Sequence, residues 1–179
     1  VFESSISIML MDVNPSDYKI FIKETVNSNT YDIVTEACNF TSNEYTNPGI
    51  LIAASGISTD GQEIVDTIVN KLGKNIPLVG GLAGDDLHMK ETFVFTNNKI
   101  TNDGILLLVL NNDKIELKGM ATSGWEAVGI EKTITKAEGN TVYTIDDQSA
   151  LDFFIKYYNL TDDFEKESDI VNKIGVKYP

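Results

Sequence analysis

The sequence contains few of the side chains that build catalytic and metal sites. It has one cysteine, one histidine and one tryptophan in 179 residues. A single cysteine excludes an intrachain disulfide and a cysteine-based zinc site, so we expect Cys38 to be a small buried thiol on a helix. His88 is the one imidazole that could act as a base. The set of catalytic groups is therefore narrow, and we expect a protein that is not an enzyme.

Basic residues are scarce as well. The chain has 14 Lys and Arg against 27 Asp and Glu, a net charge of −13. That field repels phosphates and anionic lipids, so we expect neither nucleic acid nor a membrane surface as a partner. The longest apolar run, at 105–110, is much shorter than the roughly 20 residues that span a bilayer, and no signal peptide is visible. We expect a cytoplasmic domain whose ligand is small and neutral or zwitterionic.

What the sequence does contain is a globular composition with clear apolar periodicities. Hydrophobic residues make up 42% of the chain and charged residues 23%, which predicts a buried core. Apolar side chains with a period of two, or in short continuous runs, indicate strands, and a period near 3.6 indicates helices. We predict helices at 30–41, 61–72 and 147–158, and strands at 2–10, 18–22, 49–54, 76–79, 92–96, 104–110, 114–121, 132–136 and 141–145.

The order of these elements indicates two kinds of connection. The strand at 49–54, the helix at 61–72 and the strand at 76–79 form a unit long enough for a right-handed crossover, so we expect these two strands to be parallel. After residue 84, short turns rich in Asn and Gly predict a β-meander. Asp147 is the expected cap of the closing helix.

These patterns combine into one α+β domain. We predict a mixed β-sheet sandwich with a β-meander, flanking helices and one strand–helix–strand crossover. The domain is expected to cover residues 1–158 and to be truncated at its N-terminus. The acidic segment at 159–179 is expected to be a linker or the start of a following C-terminal half.

The segment LVGGLAGDD, which begins at residue 78, is the most informative stretch for function. Closely spaced glycines at Gly80, Gly81 and Gly84 permit positive φ and let a ligand approach the backbone. Asp85 would then accept a hydrogen bond from an ammonium or hydroxyl group. The segment lacks the Gly-Lys-Ser/Thr ending of a P-loop and the dinucleotide fingerprint, and two acids are too few for a metal site. The alternative is a tight turn whose backbone the carboxylate binds.

A second informative point is the tripeptide Ser123-Gly124-Trp125. It holds the sole tryptophan, beside a glycine, at the end of a predicted strand. The indole could stack over a ligand or close the edge of the core. We include all three residues in the predicted ligand-binding site.

His88 has three interpretations. It is an exposed loop residue, an axial haem ligand in a gas sensor, or the base of a hydrolase. In the last case Ser55, Ser58 or Ser123 would be the nucleophile. Nothing in the spacing favours this last interpretation.

The order of the motifs resembles the N-terminal half of the FIST domain, over about residues 1–158. The FIST domain is a sensory module of bacterial signalling proteins and of some eukaryotic F-box proteins. The Val-Gly-Gly-Leu-Ala-Gly-Asp segment carries the resemblance most specifically. The motifs are LIAASG at 51–56, IPLVGGLAGD at 76–85, DGILLL at 103–108, SGW at 123–125, AEGN at 137–140, and Asp147 with Ala150-Leu151.

The resemblance implies a sensor of small ligands, usually amino acids, coupled to an output module such as a kinase, a cyclase or a chemoreceptor. Some family members resemble haem-binding gas sensors. Compared with the family pattern, the chain lacks the usual C-terminal half and the cysteine- and glycine-containing segment before the first strand. A pocket between the two halves would be only partly present here. By position, the matching residues are Gly80, Gly81, Gly84, Asp85, Gly124 and Trp125.

Overall fold

A computed structural model gives the structure of the protein at residues 6–26, 28–85, 88, 90–122, 124, 126–127, 129–138 and 141–159. The chain divides into two compact units, residues 1–121 and 122–179. The prediction of one domain followed by a linker stays a prediction. In the first unit the elements are a 3-10 helix (Pro15–Asp17), β1 (Tyr18–Glu24), α1 (Thr30–Glu44), β2 (Pro48–Ser55), α2 (Gly61–Leu72), β3 (Leu78–Ala83), β4 (Val94–Phe95), β5 (Ile100–Thr101) and β6 (Gly104–Asn111).

The first unit is built on a four-stranded mixed sheet in the order β1-β6-β2-β3. β6 runs antiparallel to both β1 and β2, whereas β2 and β3 are parallel. β2 and β6 occupy the centre because both are nearly continuous apolar runs that can be covered on two faces. The predicted α+β class with a mixed sheet is confirmed, as is the parallel pair. The handedness of its crossover stays a prediction.

Helices α1 and α2 supply the apolar layer that covers the sheet. Asn29 caps α1 by accepting the N–H of Asp32, and Asp60 caps α2 by accepting the N–H groups of Gln62 and Glu63. Such caps satisfy N–H groups that have no partner inside the helix. The shared core consists of Ile33, Val34, Ala37, Cys38, Ile50, Ile52, Ala54, Ile64, Ile68, Ile105, Leu107 and Val109.

The second unit is a small antiparallel sheet with one helix, made of β7 (Ile134–Glu138), β8 (Thr141–Ile145), β9 (Gln148–Ser149) and α3 (Ala150–Tyr157). The turn before β9 places Asp146 and Asp147 at φ of 48° and 62°. Asp146 accepts hydrogen bonds from Lys132 (2.8 Å) and from the N–H of Thr133 (3.0 Å). The bond from Lys132 is the main reason that the pKa of the Asp146 carboxyl is lowered.

Asp147 does not cap α3 as predicted. Ser149 is the cap, and its hydroxyl accepts the N–H of Asp152. Asp147 instead lies in the β8–β9 turn with a left-handed φ. Asp tolerates this conformation in tight turns. The helix therefore begins at Ala150, after the short strand β9, which was not predicted.

Two predicted strands are absent from the described residues. Residues 6–14 have no regular structure, and Ile6, Ile8 and Leu10 are exposed, because no neighbouring strand pairs with this segment. The segment 114–121 is also irregular. The N–H of Leu117 donates to the side chain of Asn112 (2.9 Å), and Lys118 pairs with Glu116 (2.8 Å), so these bonds are local. β6 lies between β1 and β2, so it is not a meander strand as predicted.

Cys38 lies on the buried face of α1 and is 2% exposed, as predicted. Burial raises the pKa of its thiol from 9.0 to about 11, while Lys71 acts weakly in the opposite direction. Because thiolate is the nucleophilic form, the folded chain keeps Cys38 unreactive at neutral pH.

The raised pKa of Cys38 predicts a loss of stability in alkali. Below pH 9 the thiol is protonated in both states, so its contribution is fully present. Between pH 9 and about pH 11 the unfolded chain loses this proton more readily, so the free energy of unfolding falls as pH rises. Urea denaturation at pH 8, 9.5 and 10.5 should show a steeper fall for the native sequence than for Cys38→Ala. Parallel slopes would contradict the raised pKa.

Candidate functional site

Gly80 and Gly81 lie inside a strand, not in a loop after it. The predicted strand ended at Val79, but β3 continues to Ala83. In the parallel register, Gly80 is opposite Ile52 and Gly81 is opposite Ala53. The boundary was wrong because glycine is intrinsically unfavourable in strands, whereas here both glycines pair with β2.

The two glycines have different surroundings. Gly80 has a φ of 143°, and a Cβ there would overlap the carbonyl oxygen of Ile52 and lie 2.7 Å from its Cγ2. A Cβ added to Gly81 would meet no atom within 4 Å. Gly80 is therefore required by the backbone, while Gly81 borders empty space.

The space beside the Cβ position of Gly81 lies on the face of the sheet that Ala53 and Leu106 also line. Gly80 and Gly81 also line an apolar groove of about 430 Å³, which we call the β3 groove. It falls within the range of about 300–1,000 Å³ that is usual for small-molecule sites. The β3 groove is lined by Ile52, Ala54, Gly61, Ile64, Val65, Leu78, Val79, Gly80, Gly81, Leu82, Gly119, Met120 and Ala121.

The groove follows from the packing around the edge of β3. α2 contributes Gly61, Ile64 and Val65 to one wall, and β3 forms the floor. Three apolar side chains remain partly in solvent there: Val65 is 40% exposed, Leu82 48% and Met120 87%. Val65 belongs to the predicted helix at 61–72 and faces the apolar side, but within the described residues nothing covers it fully.

Polar groups at the groove come from the backbone. Among the described residues, β3 pairs with β2 alone and forms the edge of the sheet. The N–H of Ile50 donates to Pro77 (2.8 Å) at the start of this ladder. Because alternate residues of a parallel strand face its neighbour, the peptide groups of Leu78, Gly80 and Leu82 face the outer edge. The groove thus combines apolar side chains with neutral N–H donors and C=O acceptors.

Gly84 and Asp85 follow β3 and do not line the β3 groove. A carboxylate oxygen of Asp85 accepts the N–H of Lys90 (2.7 Å), and its carbonyl accepts the N–H of His88 (3.2 Å). These bonds favour the tight-turn alternative for this part of the motif. A role of either residue in ligand binding stays a prediction.

The tripeptide at 123–125 is mostly outside the described residues. Ser123 and Trp125 both lie there, so the predicted indole stacking is untested. Gly124 is described and belongs to the second unit, where a Cβ would meet no atom within 4 Å.

The hydrolysis hypothesis is untested, because Ser123 lies outside the described residues. His88 is exposed, and Ser55 is fully buried with its hydroxyl 3.0 Å from that of Thr92. Thr92 also accepts the N–H of Gly56 (2.9 Å), so this pair fixes the loop after β2. The haem hypothesis is untested, and His88 does not line the β3 groove. In the described part of the chain, no three His, Cys, Asp or Glu side chains cluster closely enough to hold a metal ion.

Sequence reasoning missed the residues that complete the groove. Gly61 and Val65 were interpreted only as helix positions, Leu82 only as part of the glycine-rich segment, and Met120 was placed in a strand. The sequence did contain a signal for Val65. Together with Ile64 and Ile68 it makes the apolar face of α2 wider than packing against one surface requires. No sequence signal indicated that the irregular segment at 119–121 would border β3.

Comparison with known proteins identifies the family of this chain. Residues 1–148 match the FIST N domain. Uncharacterized protein MJ1623 of Methanocaldococcus jannaschii is 29% identical over 113 residues, which are 63% of this chain and 21% of that protein. The chain therefore spans about a fifth of the length of that relative. No solved structure matches. None of the described helices combines the length and apolarity that crossing a membrane requires.

The contrast between the two strand glycines is testable. Gly80→Ala should lower the free energy of unfolding by about 1–3 kcal/mol, because its Cβ strains the backbone against Ile52. Gly81→Ala should leave stability unchanged or raise it by about 0.4–1 kcal/mol, because alanine restricts the unfolded chain. Urea denaturation of both variants measures the difference. Equal losses would show that the two positions are not distinct.

Proposed function

Because this chain belongs to the FIST N domain family, a family of sensory domains in signal transduction proteins, we propose that it binds a small metabolite in the β3 groove. The proposed ligand is an amino acid or a related compound, as the family resemblance implies. We further propose that the protein is a bacterial, cytoplasmic sensor that acts without catalysis. Its signal would pass to an output module such as a kinase, a cyclase or a chemoreceptor.

The observation that carries this proposal is the pairing of an apolar groove with an open strand edge. An amino acid has an ammonium that donates hydrogen bonds and a carboxylate that accepts them. The edge of β3 offers both complements, since the C=O groups of Leu78, Gly80 and Leu82 accept and their N–H groups donate. The side chain of the ligand would then lie among the aliphatic residues of the groove.

The charge of the chain supports a ligand of this kind. A net charge of −13 repels free anions, but a zwitterion carries no net charge and meets no such barrier. Every described residue that lines the groove is aliphatic, glycine or methionine. Acid–base chemistry would need a titratable group beside the ligand, and the described lining supplies none.

Thermal shift of the full chain with each of the 20 amino acids at about 10 mM tests the proposal. A ligand at 100 times its Kd stabilises the fold by about 2.7 kcal/mol, and each kcal/mol raises Tm by about 2–4 °C at this size. We expect at least one amino acid to raise Tm. Val65→Trp should abolish the shift, because the larger side chain on the α2 wall takes up space in the groove.

Asn70→Trp is the matched control for that variant. Asn70 is exposed on the same helix but does not line the groove, so its ligand-induced shift should be unchanged. If no amino acid raises Tm in the native sequence, the proposal is wrong. A shift that Val65→Trp retains would place the ligand elsewhere in the chain.

A further inference from the structure

We infer that the β3 groove selects amino acids with uncharged aliphatic side chains and rejects those with charged side chains. This inference rests on the proposed function and adds the class of ligand. Val65, which borders the groove from α2, is the residue that we infer to determine the specificity.

The lining of the groove is the first argument. The side chains that project into it, among them Ile64, Val65 and Leu82, carry no hydrogen-bonding group. A charged group that leaves water for such surroundings loses its hydration without gaining a partner, which is strongly unfavourable. An aliphatic side chain gains free energy in the same place, roughly in proportion to the apolar area that leaves water.

The N-terminus of α2 provides a second argument, which concerns anionic side chains. Gly61, the first residue of α2, lines the groove, so the groove reaches the helix end that attracts anions. Asp60 already occupies that end: one carboxylate oxygen accepts the N–H groups of Gln62 (2.9 Å) and Glu63 (3.2 Å). A glutamate or aspartate side chain would meet a carboxylate there instead of unsatisfied N–H groups.

A third argument concerns ligands with cationic side chains, which would find no acidic partner in the described lining of the groove. Neither the α2 wall nor the β3 floor places an acidic residue among those that line the groove. Val65 occupies the wall position where an acidic side chain would receive a cation, and it is 40% exposed, so other side chains fit there. The side chain at position 65 therefore determines whether the groove binds aliphatic or cationic side chains of a ligand.

The volume of the groove accords with a small aliphatic group. About 430 Å³ accommodates the side chain of valine, leucine, isoleucine or methionine together with part of the ligand backbone. The ammonium and carboxylate remain at the edge of β3, where the neutral peptide groups face outward. Selectivity would thus arise from the side chain, while the head group contributes binding that all amino acids share.

Calorimetric titration of the full chain with leucine, isoleucine, valine, methionine, lysine and glutamate tests the inference. We expect the four aliphatic amino acids to bind at least about tenfold more tightly than lysine and glutamate, which corresponds to about 1.4 kcal/mol. Val65→Glu should weaken leucine binding by about tenfold or more and strengthen lysine binding. Asn70→Glu adds the same charge at an exposed position of α2 outside the groove and should change neither.

The outcomes separate the inference from the proposed function. Equal affinity for leucine and lysine in the native sequence overturns the aliphatic selectivity but leaves amino-acid sensing intact. A failure of all 20 amino acids to bind overturns both. If Val65→Glu does not fold, as judged by circular dichroism, the ranking of ligands in the native sequence still decides the inference. A Val65→Glu variant that folds and keeps the native ranking removes residue 65 as the determinant.

Discussion

The parallel pairing of β2 with β3 is the contact on which the rest of the first unit depends. The two strands can be parallel only because the chain between them crosses over, and α2 is that crossing segment. The pairing also brings Gly80 against the carbonyl of Ile52, so no side chain fits at that position. The strand pair therefore forms the floor of the β3 groove, and the crossover between the two strands contains the helix that forms its wall.

The same arrangement explains why the groove is apolar in a chain with so many acids. α2 turns its buried residues Ile64 and Ile68 to the sheet and keeps its carboxylates in solvent or at its N-terminus. A cap at Asp60 uses one carboxylate to satisfy the helix end, which removes a positive site that would attract anions. The negative charge of the protein is thus kept away from the groove lining.

The sequence predicted what depends on local periodicity and missed what depends on distant partners. α1, α2 and β2 were predicted almost to their ends, because their apolar faces and caps are encoded within the elements themselves. The strand at 114–121 was wrong because alternation cannot tell whether a neighbouring strand exists. For the site, Gly80 and Gly81 were predicted and line the groove, whereas Val65 and Met120 could be assigned to it only from the fold.

Neighbouring glycines in one motif need not be present for one reason. At Gly80 the φ of 143° and the carbonyl of Ile52 forbid a side chain, so glycine is required there whether or not a ligand binds. At Gly81 the fold imposes no such limit, since a Cβ would meet open space. Of the two glycines, Gly80 is therefore explained by the fold, whereas the fold alone does not explain Gly81, and its role in ligand binding stays a prediction.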